Sequence, residues 1–332
     1  MSSITITQAK TMFLESLKLP HSANTLQAYR TALETFCNML ATQQIDSSKF
    51  PVTELTENSI VHFVDYMKDL SPATESLYLQ VIKSFFKFLD AENLTAVNLS
   101  RVRMVIRQRT HRFKRQSLQY PEEDIEYLIR FVSHLQNVST ADVNELDNIN
   151  LELRNMRDRA LILTLADTGL RVEEICKLRC GDINWEMSRV ILKGRGYKQA
   201  IVRFSTRAIN AVKDYLSLRK SLDSETHQPL ISLPLFARHD KGAGKKIKSI
   251  TPTTTRNIVA ERVHQILGAE AVGIITPHTF LHYFVTTILH ATGNLKLAQV
   301  LARHTNIQIT QRYAHINDDE LDKGYYEIFE KK

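Results

Sequence analysis

The stretch RVILKGRGYKQAIVRFS, residues 189–205, decides the fold class because it carries the clearest strand signal in the chain. Apolar and polar residues alternate on both sides of a glycine-bounded turn at residues 194–196, which predicts a β-hairpin. Outside this hairpin, apolar residues recur at the three- and four-residue intervals of amphipathic helices. The sequence therefore predicts a protein that is mainly α with a small antiparallel β-sheet.

The chain has 332 residues, of which 43% are apolar, so it is long enough for two domains with separate cores. Residues 1–95 predict a compact bundle of four helices. Residues 121–180 also read as helical, interrupted by a polar stretch at 137–150. The remaining predicted helices cover residues 206–220, 252–268, 279–292, 294–303, 306–314 and 318–329.

Between these two parts lies a basic run, RVRMVIRQRTHRFKR, with seven Lys and Arg residues and no acid. It is either a solvated face or a segment that crosses a phosphate backbone. The net charge of +7 suits a polyanionic partner. The candidate DNA-binding residues of the run are Arg101, Arg103, Arg107, Arg109, Arg112, Lys114 and Arg115.

Several classes of protein are disfavoured. The cysteines are three in number and form no CxxC pair, and the twelve histidines form no HExxH pattern, so we expect no zinc site and reduced thiols. His278 and His282 have helical i,i+4 spacing, but no third metal ligand follows at a fixed interval. No uncharged apolar run approaches 18 residues and no export signal is seen at the N-terminus, so we expect a cytoplasmic protein without membrane insertion.

Two polar clusters interrupt the apolar segments before residue 200. In DTGLRVEEICKL, Gly169 is expected to end one helix and let another begin, and Arg171 and Glu174 share a helix face. This pair is either a surface ion pair or an arginine held by a carboxylate for phosphate binding. The hairpin tip KGRGYK is either solvated or reaches DNA. Its basic residues are Lys193, Arg195 and Lys198.

The third cluster is C-terminal and completes an ordered series. Arg171 in TGLRVEE, the KGRGYK hairpin 24 residues later, HTFLH at 278–282, His304, and Tyr313 nine residues further on resemble the tyrosine recombinase (phage integrase) family. The resemblance covers the chain. It implies a helical core-binding domain at residues 1–100, a linker at 101–115 and an α+β catalytic domain at 116–332.

The resemblance implies site-specific recombination of double-stranded DNA without metal or other cofactor. Tyr313 would attack a phosphodiester and form a 3′-phosphotyrosyl intermediate. Arg171 would clamp the phosphate, His304 would donate to it and His278 would handle the proton. Supporting roles are implied for two further residues, Glu174 and His282. A homo-oligomer on DNA, from dimer to tetramer, is also implied.

Three positions depart from the family pattern. Leu281 stands where the box H-x-x-R-H has its second clamping Arg, and loss of one such donor typically lowers the rate by about 10²–10³. The family's catalytic Lys falls on Arg195, which releases a proton poorly, so Lys193 or Lys198 is an alternative. Arg303 replaces the usual Gly before the His. The chain is therefore either an active recombinase in which Arg303 or Arg312 covers for Leu281, or a slow one. We expect residual strand transfer, and we expect Leu281→Arg to raise cleavage.

Two other functions remain open. The chain is alternatively a degenerate DNA-binding, synapsis or regulatory protein of the same fold, or a monomeric relaxing enzyme similar to type IB topoisomerases. Tyr313→Phe separates an enzyme from a DNA-binding protein, because it should abolish a covalent adduct and leave affinity nearly unchanged.

Overall fold

The structure, a computed structural model, describes residues 4–18, 23–110, 121–135, 145–193, 199–240 and 247–311. Internal contacts divide the chain into two compact units, Met1–Gln119 and Tyr120–Lys332. Across the described ranges, no helix combines the length and the apolar character that a membrane span requires.

The first unit is a helical bundle with an aromatic core. Phe36 packs edge-to-face on Phe63 with ring centroids 5.2 Å apart, and both rings are fully buried. Thr5 begins the first helix with a capping box that uses Gln8. The four helices expected before residue 95 are confirmed, and a fifth follows them. The helices are α1 (Ile6–Ser16), α2 (Ala23–Thr42), α3 (Asn58–Tyr66), α4 (Pro72–Ala91) and α5 (Leu99–Thr110).

Helix α5 changes the interpretation of the basic run. Its residues Val102 and Ile106 are buried in the core of the first unit, whereas Arg101, Arg103 and Arg107 are exposed. Residues 101–110, which were expected to lie in a linker, therefore belong to a helix packed on the first unit. The i,i+4 spacing of the two inward side chains leaves the arginines on the outer face.

The second unit is built around helix α7, whose residues 160–163 are buried in succession. Four consecutive buried apolar residues cover all sides of this helical turn, which therefore requires neighbours around its whole circumference. These neighbours include α6, α9, α10 and α11. The helices of this unit are α6 (Glu122–Ser133), α7 (Glu145–Thr168), α8 (Val172–Ile175), α9 (Thr206–Glu225), α10 (Pro252–Leu267), α11 (Pro277–Thr292), α12 (Leu295–Leu301) and α13 (Ile307–Gln311).

A small antiparallel sheet completes the second unit and confirms the predicted fold class. Its strands are β1 (Ile183–Asn184), β2 (Arg189–Lys193) and β3 (Gln199–Arg203), in the order β1-β2-β3. The paired Val190 and Val202 face the core, and the adjacent pair Ile191 and Ile201 faces outward. This alternation is the period-two pattern seen in the sequence. Strand β1 was not predicted because two residues show no period.

Candidate active site

The turn that presents Arg171 depends on Gly169. Helix α7 ends at Thr168, and Gly169 has the left-handed φ of +60° typical of the residue after a helix. A Cβ at Gly169 would lie 2.5 Å from Cδ1 of Phe284. The Phe284 ring therefore fits here only because Gly169 has no side chain. Arg171 then takes an extended conformation and precedes α8. The predicted helix break at Gly169 is confirmed.

Glu174 holds two arginines. Its Oε2 accepts hydrogen bonds from the Arg171 backbone N–H at 2.8 Å and from Nη2 of Arg303 at 2.9 Å. Its Oε1 accepts a longer one, 3.3 Å, from Nη1 of Arg171. The Arg171 side chain is 43% exposed, whereas that of Arg303 is only 10% exposed. The Arg171 guanidinium is therefore accessible to solvent, whereas the Arg303 guanidinium is largely buried.

Arg303 is a buried cation in an unusual backbone conformation. Its φ of +57° is rare for a residue with a side chain. Its Nη2 donates to the Gly169 carbonyl at 2.7 Å, and its Nη1 lies 3.5 Å from the Thr168 carbonyl. Its Nε is buried and has no hydrogen-bond partner among the described residues. Burial lowers the pKa of Arg303, an effect that the Glu174 carboxylate opposes.

His304 is buried and anchored at both its backbone and its ring. Its backbone N–H donates to the Gln299 carbonyl at 3.0 Å, and its Nδ1 lies 2.9 Å from the hydroxyl of Thr310, which is fully buried. Burial, followed by the charges of Arg171 and Arg303, lowers the pKa of His304. The neutral imidazole is therefore favoured, and it keeps one N–H for donation.

His278 and His282 lie one turn apart on α11, with ring centroids 4.7 Å apart and planes nearly perpendicular. Burial lowers the pKa of His278, and the Arg171 charge lowers it further. Burial and the charges of His278 and His304 lower the pKa of His282 to about 4. The charge of Arg171 therefore acts on both His278 and His304. Within the described ranges, no group of three His, Cys, Asp or Glu residues is placed to hold a metal ion.

Two family models match the chain. The catalytic model of the phage integrase family covers residues 138–320, and the N-terminal SAM-like domain model of the same family covers residues 11–93. The chain belongs to the phage integrase family.

Curated relatives of this family member include enzymes named tyrosine recombinase XerC. The one from Bacillus pumilus is 28% identical over 95% of this chain and 93% of its own length. The one from Leptospira interrogans is 24% identical over 98% of this chain and 94% of its own length. The alignments therefore span both units.

Solved structures of the family share the fold. The integrase of the transposon Tn1549, in complex with transposon right end DNA, matches with a TM-score of 0.66 and 16% identity, over 98% of this chain and 99% of that chain. XerH recombinase bound to its difH substrate, in a pre-cleavage complex, matches with a TM-score of 0.65 and 17% identity, over 97% of this chain and 84% of that chain.

Leu281, which was expected from the resemblance to take the place of a second clamping Arg, is a core residue in this protein. It is 4% exposed and belongs to a buried cluster between α11 and α12. An apolar side chain in this cluster donates no hydrogen bond to a phosphate. The other buried members of the cluster are Val285, Leu289, Ala298 and Ala302.

Five of the expected site residues are thus described: Arg171 bonds Glu174, the rings of His278 and His282 are in contact, and His304 follows Arg303, which also bonds Glu174. The backbone of Lys193 ends β2, and that of Arg109 belongs to α5, but neither side chain is described. Three more candidates, Arg101, Arg103 and Arg107, lie on α5. The others lie outside the described residues: Arg112, Lys114, Arg115, Arg195, Lys198, Arg312 and Tyr313.

Sequence reasoning missed two contacts of the site. Thr310 was not singled out, although its six-residue distance from His304 places it on the next helix. Arg303 was noted as a departure from the family pattern, but its contact with Glu174 was not expected. The sequence signal that could have indicated this contact was Arg303 itself, an arginine where the family usually has glycine.

Proposed function

We propose that the protein is a site-specific tyrosine recombinase that breaks and rejoins double-stranded DNA through a 3′-phosphotyrosyl intermediate at Tyr313. The observation that carries the proposal is the turn at Gly169, which presents Arg171 and whose carbonyl accepts a hydrogen bond from Arg303, the residue before His304. A half-exposed guanidinium beside neutral imidazoles suits a phosphodiester, since it offers positive charge and donors without a metal.

In the proposed reaction, Oη of Tyr313 bonds to phosphorus as the bond to the 5′ oxygen breaks. Negative charge grows on the non-bridging oxygens, where Arg171 and His304 stabilise it. His278 accepts the phenol proton, a role that its lowered pKa permits because the ring is neutral. The phosphodiester energy is kept in the phosphotyrosyl bond, so rejoining requires no nucleotide.

The leaving 5′ oxygen takes a proton from the hairpin that joins β2 to β3. We place this general acid at Arg195, with Lys193 and Lys198 as alternatives. An arginine gives up its proton far less readily than a lysine. A slow cleavage step is therefore part of the proposal.

DNA binding is assigned to basic residues of both units. On α5, Arg101, Arg103 and Arg107 are exposed on the face opposite the buried Val102 and Ile106. Phosphate contacts by such residues make affinity fall steeply with salt. The further DNA-binding candidates are Arg109, Arg112, Lys114, Arg115, Lys193 and Lys198.

We further propose that the protein acts as a dimer to tetramer on DNA, in the cytoplasm. Strand exchange between two duplexes needs at least two cleaving protomers. A type IB topoisomerase-like enzyme would relax supercoiled DNA as a monomer. Product analysis on plasmids with one and with two sites separates these reactions.

The second candidate function is a DNA-binding or synapsis protein with little or no cleavage. The burial of Leu281 in the apolar cluster favours it, because this residue cannot clamp a phosphate. Under this alternative, Arg171 and His304 would hold DNA without supporting strand transfer.

A covalent-trapping assay decides between the two functions. Nicked duplexes from the DNA that flanks the gene are incubated with wild type, Tyr313→Phe and, as a matched control, Tyr127→Phe, which alters an exposed tyrosine of α6. The recombinase proposal predicts a slowly migrating adduct with wild type and with the control, but not with Tyr313→Phe. Retained binding of the same duplexes without any adduct would support the alternative.

A further inference from the structure

Arg303 combines three features that packing alone does not explain. It has a left-handed φ of +57°, which favours glycine. Its guanidinium is nine-tenths buried, and one of its N–H groups, on Nε, is enclosed without a partner among the described residues. Arg303 therefore combines two unfavourable features: a backbone conformation that disfavours a side chain, and the burial of a charged group.

The strongest side-chain contacts of Arg303 are to the turn that presents Arg171. Its Nη2 donates to the Gly169 carbonyl and to the Glu174 carboxylate, at 2.7 and 2.9 Å. Gly169 sets the turn before Arg171, and Glu174 accepts from the backbone N–H of Arg171. Arg303 thus contacts both residues that position Arg171, namely Gly169 and Glu174.

The net charge of the site links Arg303 to Leu281. Without Arg303, the charges of Arg171 and Glu174 would cancel, and a phosphate would meet no net positive charge from this pair. The family's second clamping Arg is absent because Leu281, an apolar residue, stands in its place. Leu281 lies in the same buried cluster as Ala302, the residue immediately before Arg303. A positive charge lost at position 281 is therefore regained close by, at position 303.

We propose that Arg303 is a positioning residue that supplies the second positive charge of the phosphate site from the position before His304. It neutralises Glu174 and fixes the turn that carries Arg171, so that the exposed Arg171 guanidinium is directed to the phosphate. This inference rests on the proposed function in one respect, the identity of the bound anion as a DNA phosphate.

The proposal alters the expectation for Leu281→Arg. With Arg303 in place, a guanidinium at position 281 enters an apolar cluster beside an existing buried cation, so cleavage should fall. In the Arg303→Gly background, the same substitution restores the missing charge and should recover part of the lost rate. Glycine at 303 also suits the left-handed backbone, which protects the fold of this test protein.

The first arm of the test needs no DNA site. Inorganic phosphate is titrated into wild type, Arg303→Met and Arg303→Lys while the NMR signals of the His278 and His304 rings are followed. We expect Arg303→Met to weaken phosphate binding about tenfold or more, and Arg303→Lys to weaken it less because it keeps the charge. Equal phosphate affinity in wild type and Arg303→Met would overturn the proposal.

The second arm compares adduct formation on a native scissile phosphate and on a methylphosphonate, which lacks the negative charge. Arg303→Met should be slower than wild type by on the order of 10²–10³ on the native phosphate, but only by a few-fold on the neutral one. Equal slowing on both substrates would reveal a merely structural role and overturn the proposal.

The matched control is Arg262→Met, because Arg262 is equally buried and also bonds a carboxylate, Asp158. It should slow both substrates alike if it slows either. The two arms also separate the two proposals. Absence of an adduct with wild type refutes the proposed function, whereas the phosphate titration still tests Arg303.

Discussion

Replacement of Gly169 by Ala should strongly destabilise the second unit. An L-residue in the left-handed conformation at φ +60° costs about 1–2 kcal/mol. The new Cβ would also lie 2.5 and 2.8 Å from Cδ1 and Cε1 of Phe284, and such overpacking costs about 1–3 kcal/mol. We therefore expect the free energy of unfolding to fall by roughly 2–5 kcal/mol.

The assay uses the single tryptophan of the chain, Trp185, which packs against the core of the second unit. Its fluorescence in a urea titration reports the unfolding of that unit. The matched control is Gly293→Ala, since Gly293 has a φ of +62° but no described residue places an atom within 4 Å of an added Cβ. This control should lose only about 1–2 kcal/mol.

A second substitution tests the clash itself. Trimming the ring with Phe284→Leu should offset part of the loss in Gly169→Ala, so the two effects should not add. Equal losses for Gly169→Ala and Gly293→Ala, or simple additivity with Phe284→Leu, would refute the argument that the ring excludes a side chain at Gly169.

Four further predictions concern charge and backbone. Arg303→Gly should leave the second unit about 1 kcal/mol more stable than Arg303→Ala, because only glycine adopts φ +57° without strain; paired urea titrations measure this, and equal stabilities would contradict it. Glu174→Gln removes the carboxylate charge and weakens the hydrogen bonds that hold Arg171 and Arg303, so single-turnover adduct formation should fall about tenfold although the net positive charge rises; an unchanged or higher rate would argue against a positioning role for the carboxylate. Stability should fall as pH drops below about 6.5, because the pKa values of His239 and His282 are lowered to about 3 and about 4 and the unfolded chain binds protons first; urea titrations from pH 7.5 to 4.5 should show this loss, and a flat profile would exclude it. Arg103→Ala should reduce the slope of log affinity against log salt by about 0.9 if Arg103 contacts one phosphate; fluorescence anisotropy with labelled DNA would show an unchanged slope if it contacts none.

Elements with a clear period could be predicted from the sequence. The β2–β3 hairpin alternates because Val190 and Val202 face the core, and the helix break at Gly169 follows from a residue that tolerates left-handed φ. Helix α5 was not predicted because basic residues dominate this stretch of the sequence. Val102 and Ile106 are buried there, Leu99 and Val105 pack against the same core less deeply, and so few apolar positions make a weak helical signal.

The site could be predicted in composition but not in its contacts. The three-residue spacing of Arg171 and Glu174 predicted their pairing, which the hydrogen bonds confirm. The burial of Leu281 depends on the approach of α12, and the contact between Arg303 and Glu174 joins residues 129 positions apart. Such long-range contacts follow from tertiary packing, which local spacing does not encode.

The most direct test of the account is to locate the DNA-linked residue. Wild-type protein trapped on a nicked duplex is digested with nuclease and then with trypsin, which cleaves after Arg312 and Lys323 and releases the peptide YAHINDDELDK. Mass spectrometry should find a nucleotide on Tyr313 of this peptide. A nucleotide on another residue, or none despite tight DNA binding, would contradict the assignment of Tyr313 as the nucleophile.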